Sequence, residues 1–144
     1  MGVRVGEVRQ TLGDVTTIEP ELWVDAGAAA AHFYVAAFGA RVVHMVGDGE
    51  DVVARMAIGE ARFWVAAAVA SSERLVPRVI GGATARLLLV VDDPAAAHAQ
   101  AVAAGAIELS PVGHEHGWLV GRVADPFGHE WEIGRPLTAD TSAE

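Results

Sequence analysis

Residues 114 to 131, HEHGWLVGRVADPFGHEW, concentrate the residue types that do chemistry. In His114-Glu115-His116 two imidazoles stand two residues apart, and in a strand such positions face the same way and can chelate one ion together. The segment nevertheless lies between two apolar runs and closes on Gly117, which predicts a hairpin loop with solvated side chains at the rim of any cavity. His129 follows the turn Asp125-Pro126-Phe127-Gly128 and falls on the opposite strand face from Glu132, so it reads as structural. Glu132 becomes a general base only if burial raises its pKa, and it is the one weak catalytic candidate. His32 and His98 lie in alanine-rich segments and read as exposed. Trp23, Trp64, Trp118 and Trp131 all fall in β-type runs, where indoles either stack on a flat ligand or fill a core.

The elements that must position these residues come from a chain of 144 residues, 52% of them hydrophobic, with a net charge of −9. That is enough apolar material for a packed interior. The acidic balance excludes nucleic-acid binding through the general field, and no basic amphipathic segment offers itself to an anionic membrane. With no cysteine, disulfides and thiolate catalysis are excluded. The start MGVRVGEVRQ lacks the apolar stretch of a secretory signal, and Gly6 stands where a myristoylation signal has Ser or Thr. No apolar run reaches the roughly 18 residues of a membrane span. The expected location is the cytoplasm.

The chain repeats itself with a period of about 67 residues. LWVDAGAAAAHFYVAAFGARVV (22–43) aligns with LVVDDPAAAHAQAVAAGAIEL (89–109), and VVARMAIGEARFW (52–64) with LVGRVADPFGHEWEI (119–133), which sets Arg55 over Arg122. Each copy predicts a strand, an alanine-rich helix and three short strands. In the first copy Asp25 is read as the helix cap and Gly39 as its stop; in the second, Asp92 or Asp93 caps, Pro94 opens and Gly105 stops. The three strands are expected near 40–47, 51–58 and 61–67, then near 106–112, 117–124 and 129–134. The organisation read from this is an N-terminal extension (1–16), a first βαβββ module (17–67), a linker (68–82), a second module (83–136) and a tail (137–144). Neither module can bury its own apolar face alone.

A doubled βαβββ unit ending in DPFGHEWEI resembles the vicinal oxygen chelate superfamily of glyoxalase I, extradiol dioxygenases and fosfomycin- and bleomycin-resistance proteins, with the closer likeness to its PhnB-like branch. VDAGAAAAHFYVAAFGA (24–40), VVDDPAAAHAQAVAAGA (90–106) and GWLVGRVADPFGHEWEIGRPL (117–137) carry the likeness, which spans roughly 17–137. The resemblance implies an α+β fold in which the two modules form curled half-barrel sheets around a shared cavity. It also implies one metal-ligand position on the first and last strand of each module. Carried over one at a time, these positions fall at Glu19, at Arg86, at Glu132 and near Phe63. A guanidinium has no lone pair to donate and repels a cation. Arg86 is therefore expected to pair with Glu19 or Glu132, and the metal site to be lost. Replacing Arg86 by His should then create metal affinity.

The function expected from this is metal-independent binding or sequestration of an apolar or aromatic small molecule, with no cofactor, by a homodimer. Trp23, Phe63 and Trp64 would stack on the ligand, while Glu19, Glu21 and Glu132 would attract a cationic group on it. The alternative is a lyase, isomerase or dioxygenase in which Glu19 and Glu132 hold a divalent metal. A third reading, a protein-interaction module, expects the cavity to be filled by the tryptophan rings.

Overall fold

The computed structural model describes residues 12–71 and 73–137. Most of the expected N-terminal extension and of the tail lies outside the described residues. The first half runs β1 (Glu21–Val24), α1 (Gly27–Phe38), β2 (Arg41–Val46), β3 (Val53–Ile58) and β4 (Ala61–Ala67). A short helix α2 (Pro77–Ile80) lies in the connection. The second half runs β5 (Arg86–Val90), α3 (Pro94–Ala104), β6 (Ile107–Glu115), β7 (Trp118–Ala124) and β8 (Glu130–Pro136). The sheets have matching orders, β1-β4-β3-β2 and β5-β8-β7-β6, each with one parallel pair (β1–β4, β5–β8) and antiparallel pairs elsewhere. This is an α+β fold of two βαβββ modules with curled, unclosed sheets. Among the described residues no helix is long and apolar enough to cross a membrane.

Local chemistry accounts for the boundaries. The Asp93 carboxylate accepts from the Ala96 N–H at 3.1 Å, and Pro94 opens the helix behind it. Asp25 does not do the same for α1. The N-cap there is Ala26, the residue aligned with Asp93, and its side chain has nothing to offer. Asp25 stands one residue too early and instead accepts two hydrogen bonds from Arg78, at 2.7 and 3.0 Å. Gly39 ends α1 in the left-handed region (φ 68°), with its N–H on the Val35 carbonyl at 3.1 Å. His114 and Glu115 belong to the last turn-ward residues of β6 rather than to a loop; only His116 and Gly117 make the turn.

Gly27 is required for a different reason. A Cβ there would sit 2.4 Å from the Val52 carbonyl oxygen, because the start of α1 presses on that backbone. Helix propensity alone would make Gly27→Ala stabilising by about 1 kcal/mol. The backbone cannot retreat as a side chain could, and overpacking costs about 1–3 kcal/mol. Urea denaturation should show the variant to be less stable than the parent, and a stabilised variant would refute the close approach.

The core is shared. Phe33, Tyr34 and Phe38 of α1 and Phe63 of β4 meet Phe127 and Trp131 of the second half, with Trp131 ring centroids 4.6 Å from Phe38, 5.6 Å from Tyr34 and 5.9 Å from Phe63. Under these rings Asp125, only 3% exposed, accepts from the Tyr34 hydroxyl and from Trp131 Nε1 (3.0 Å), and its other oxygen accepts from the Phe127 and His129 N–H groups. His98 is likewise buried rather than exposed: its ring lies against Gly121 and its Nε2 meets the Ser110 carbonyl at 3.2 Å. The helix position that reads as polar in the alanine run is the one that α3 turns onto β6 and β7. His32 is exposed.

Strand alternation divides each sheet into two faces. Leu22, Val24, Phe63, Val65, Trp131 and Ile133 turn into the core, so Glu21, Trp23, Trp64 and Glu132 turn the other way. That second face carries the candidate site.

Candidate functional site

An arginine stands on the middle of the second face in each module. In the first, Arg55 of β3 makes two hydrogen bonds to Glu19, Nε to Oε1 at 3.0 Å and Nη2 to Oε2 at 2.5 Å. Trp64 Nε1 donates to the same carboxylate at 2.9 Å, and the guanidinium carbon lies 6.0 Å from the Trp64 ring centroid. In the second, Arg122 of β7 donates from Nε to Glu132 at 2.9 Å and from both terminal nitrogens to Glu115 at 3.0 Å. Arg86 lies beside this cluster, 2.9 Å from Glu130 and 3.9 Å from Glu132.

The charges respond accordingly. The Arg55 hydrogen bonds hold the Glu19 carboxyl below its usual range against the opposing effect of burial. Arg122 does the same for Glu115. Both guanidinium groups are pushed above their ordinary value by the carboxylates they bridge, Arg122 more strongly. These are bidentate, charge-assisted contacts on half-buried side chains.

Strand register gives the equivalences. Arg55 lies opposite Trp64 across β3 and β4, and Arg122 opposite Glu132 across β7 and β8. Trp64 therefore occupies in the first module the place of Glu132 in the second. Phe63 is on the other face, 4% exposed, with its ring edge-on to Tyr34. By the same reasoning Glu21 matches Leu88 and Glu19 matches Arg86, since Glu21 lies opposite Trp64 and Leu88 opposite Glu132.

The sequence-predicted residues do not gather in one hollow. A cavity of about 700 Å³ has Glu19, Arg55, Arg86, Leu88 and Leu89 on its walls, and the covered rings of Phe63 and Trp131 reach it. A second, of about 570 Å³, is bounded by Glu21, Trp23, Leu75, Ile80, Leu87 and His129. Glu132 faces a third, of about 300 Å³, together with Glu115, His116, Trp118 and Arg122. Trp64 stays on Arg55 and Glu19. His129 Nε2 meets the Trp23 carbonyl at 2.8 Å and ties the second module to β1.

The carboxylates among the expected ligand positions are already engaged by arginines. Among the described residues no three His, Asp or Glu side chains come together as ligands. Glu19 and Glu132 each already carry a guanidinium within 3.0 Å. The pair to Arg86 is only part of this arrangement; Arg55 and Arg122 are its centre. Neither stands among the site residues expected from the sequence, although the repeat alignment that sets one over the other is a signal for them. Glu115 lies at the end of β6, in a segment whose sequence reads as a loop.

Two βαβββ modules with this register define a glyoxalase-type chain. The family model described as Glyoxalase/Bleomycin resistance protein/Dioxygenase superfamily matches residues 14–133, and the chain belongs to that superfamily. An uncharacterised protein of Mycobacterium tuberculosis (strain H37Rv) is 32% identical over 94% of this chain and 87% of its own length. A gene product of Arabidopsis thaliana has a similar crystal structure, with TM-score 0.64 and 28% identity over 83% of this chain and 97% of the other. The fosfomycin resistance protein FosX of Listeria monocytogenes, solved with Mn(II) and 1S,2S-dihydroxypropylphosphonic acid, shares the fold at TM-score 0.67 and 10% identity, covering 92% of this chain and 98% of its own.

Proposed function

We propose that this chain is a metal-independent binder of an apolar or aromatic small molecule, held in the cavity of about 700 Å³. The observation that carries this reading is the placement of Arg55 on Glu19 and of Arg122 on Glu132. The two carboxylates that a metal would need are neutralised: Glu19 and Arg55 form part of the polar rim of this cavity, and Glu132 and Arg122 lie in the smaller hollow that meets it at Leu88. Its remaining walls, Ile58, Leu87, Leu88 and Leu89, suit the body of a flat organic ligand, and the volume is that of ordinary ligand pockets.

The working form is a homodimer. β2 and β6 each form one outer edge of their sheet, and Val42, Val43, Met45, Val46, Ile107 and Leu109 on them are all exposed. Apolar side chains on an unpaired strand edge favour a second copy.

Titration with the aromatic probe 1-anilinonaphthalene-8-sulfonate, followed by tryptophan quenching, tests the binding site. Leu88 is 46% exposed, so Leu88→Glu is tolerated while placing a charge on the cavity wall. It should weaken probe binding about tenfold or more, the equivalent of at least about 1.4 kcal/mol. Unchanged affinity would place the probe elsewhere. Retention of one Zn²⁺, Ni²⁺, Mn²⁺ or Fe²⁺ per chain after removal of excess metal would overturn the metal-independent reading in favour of a metal-dependent lyase, isomerase or dioxygenase.

A further inference from the structure

The second cavity has a different chemistry from the first. Glu19, Glu115, Glu130 and Glu132 all carry an arginine, whereas Glu21, among the described residues, has no cationic partner. Its carboxylate accepts one hydrogen bond, from Trp23 Nε1 at 2.7 Å, and remains exposed. That contact fixes the indole beside the carboxylate. The Trp23 carbonyl accepts from His129, and since a carbonyl can only accept, Nε2 of His129 carries the proton. The indole and carboxylate therefore stand on a strand held from both sides. Opposite them, Leu75 and Ile80 of the connection are 58% and 50% exposed and face the cavity with Pro77 and Leu87. Arg86 also lines it, but its charge is already offset by Glu130 and Glu132.

We propose that this cavity, of about 570 Å³ between β1 and the α2 connection, is a separate site for a small apolar amine in its cationic form. The ammonium group sits against the Glu21 carboxylate and over the adjoining face of Trp23, combining an ion pair with a cation–π contact. The apolar body lies against Leu75, Pro77 and Ile80. A net charge of −9 favours the approach of cations. The two hollows adjoin through Pro20, Arg86 and Leu87, but Leu88 does not line this one and Glu21 and Trp23 do not line the larger one, so substitutions at these positions test the two readings separately.

Calorimetric titration of the full chain with 2-phenylethylamine, 2-phenylethanol and 3-phenylpropionate tests it, since the three probes differ chiefly in charge. The amine should bind best. Glu21→Gln should weaken it about tenfold or more, as loss of a charged hydrogen-bond partner does. Trp23→Phe should weaken it less, and Leu88→Glu should leave it unchanged. Both Glu21 and Leu88 are exposed, so their variants fold. Equal binding of the alcohol or the acid, full affinity in Glu21→Gln, or loss of amine binding in Leu88→Glu would each overturn the proposal.

Discussion

Asp125→Ala is expected to cost about 3 kcal/mol or more, since each buried donor left without a partner costs about 1–3 kcal/mol, and this is a large part of the roughly 5–15 kcal/mol that holds a domain together. Four donors converge on this buried carboxylate: the Tyr34 hydroxyl, Trp131 Nε1 and the Phe127 and His129 N–H groups. Alanine leaves all four without a partner, two of them in the aromatic core that joins the modules. Tyr34→Phe removes one donor and leaves three, so its cost is smaller, about 1.5–3 kcal/mol for a hydrogen bond to a charged group. Urea denaturation followed by tryptophan fluorescence reads both. The same network sets an alkaline limit. Burial, and then the Asp125 charge, push the Tyr34 phenol well above its ordinary value. The unfolded phenol loses its proton near pH 10, the folded one only at higher pH. Between these the folded state binds more protons, so stability is fully present below about pH 10 and is lost as pH rises through that window. Tyr34→Phe should lack this alkaline loss. Equal slopes in parent and variant would mean that Tyr34 is not the group responsible.

The repeat made the modules legible, because helix propensity, stop glycines and strand runs recur in the same order twice. It also carried the equivalence of Glu19 and Arg86, which strand register reproduces. What it did not show is where partners meet. Arg86 reads as the natural mate of Glu19 or Glu132, and it does lie 3.9 Å from Glu132; but Glu19 is held by Arg55, two strands across the sheet from β1, and Glu132 is held more closely by Arg122 on the adjacent strand, offsets that no linear spacing reports. A one-residue slip had a large effect on the aromatic site. Phe63 and Trp64 are adjacent, and alternation sends the first to the core and the second to the open face. His98 is buried for a related reason: a histidine among alanines reads as exposed until α3 is docked against Gly121, whose missing side chain makes room for the ring. The division into separate cavities depends on how the connection folds back over β1, and α2 gave no periodic signal in four residues.

Arg122→His should turn the second module into a divalent-cation site. Arg122 now occupies the point where Glu115 and Glu132 converge, donating to both, with the Ser110 hydroxyl 3.5 Å away. Its removal frees two carboxylates, and the imidazole adds a nitrogen ligand, giving the three protein ligands of a typical catalytic zinc site. The metal-free variant is expected to be less stable than the parent, since Glu115 and Glu132 then lose their direct donor and keep only Arg86, 3.9 Å from Glu132, as a nearby cation. Zn²⁺ or Ni²⁺ should reverse this, by about 2.7 kcal/mol at a hundredfold excess over Kd, whereas the parent's melting temperature should not respond. Arg86→His should gain far less, because Arg122 would still hold Glu132 at 2.9 Å and repel the ion. Acid titration gives an independent reading. In the parent the lowered Glu115 pKa contributes stability that is present above the ordinary carboxylate value, about 4.3, and is lost as pH falls below it. Arg122→His should lack that acid limb until metal is added. If metal stabilises Arg86→His and leaves Arg122→His unmoved, the position that displaces the superfamily's ion is on β5, and Arg122 is only a brace for its neighbours.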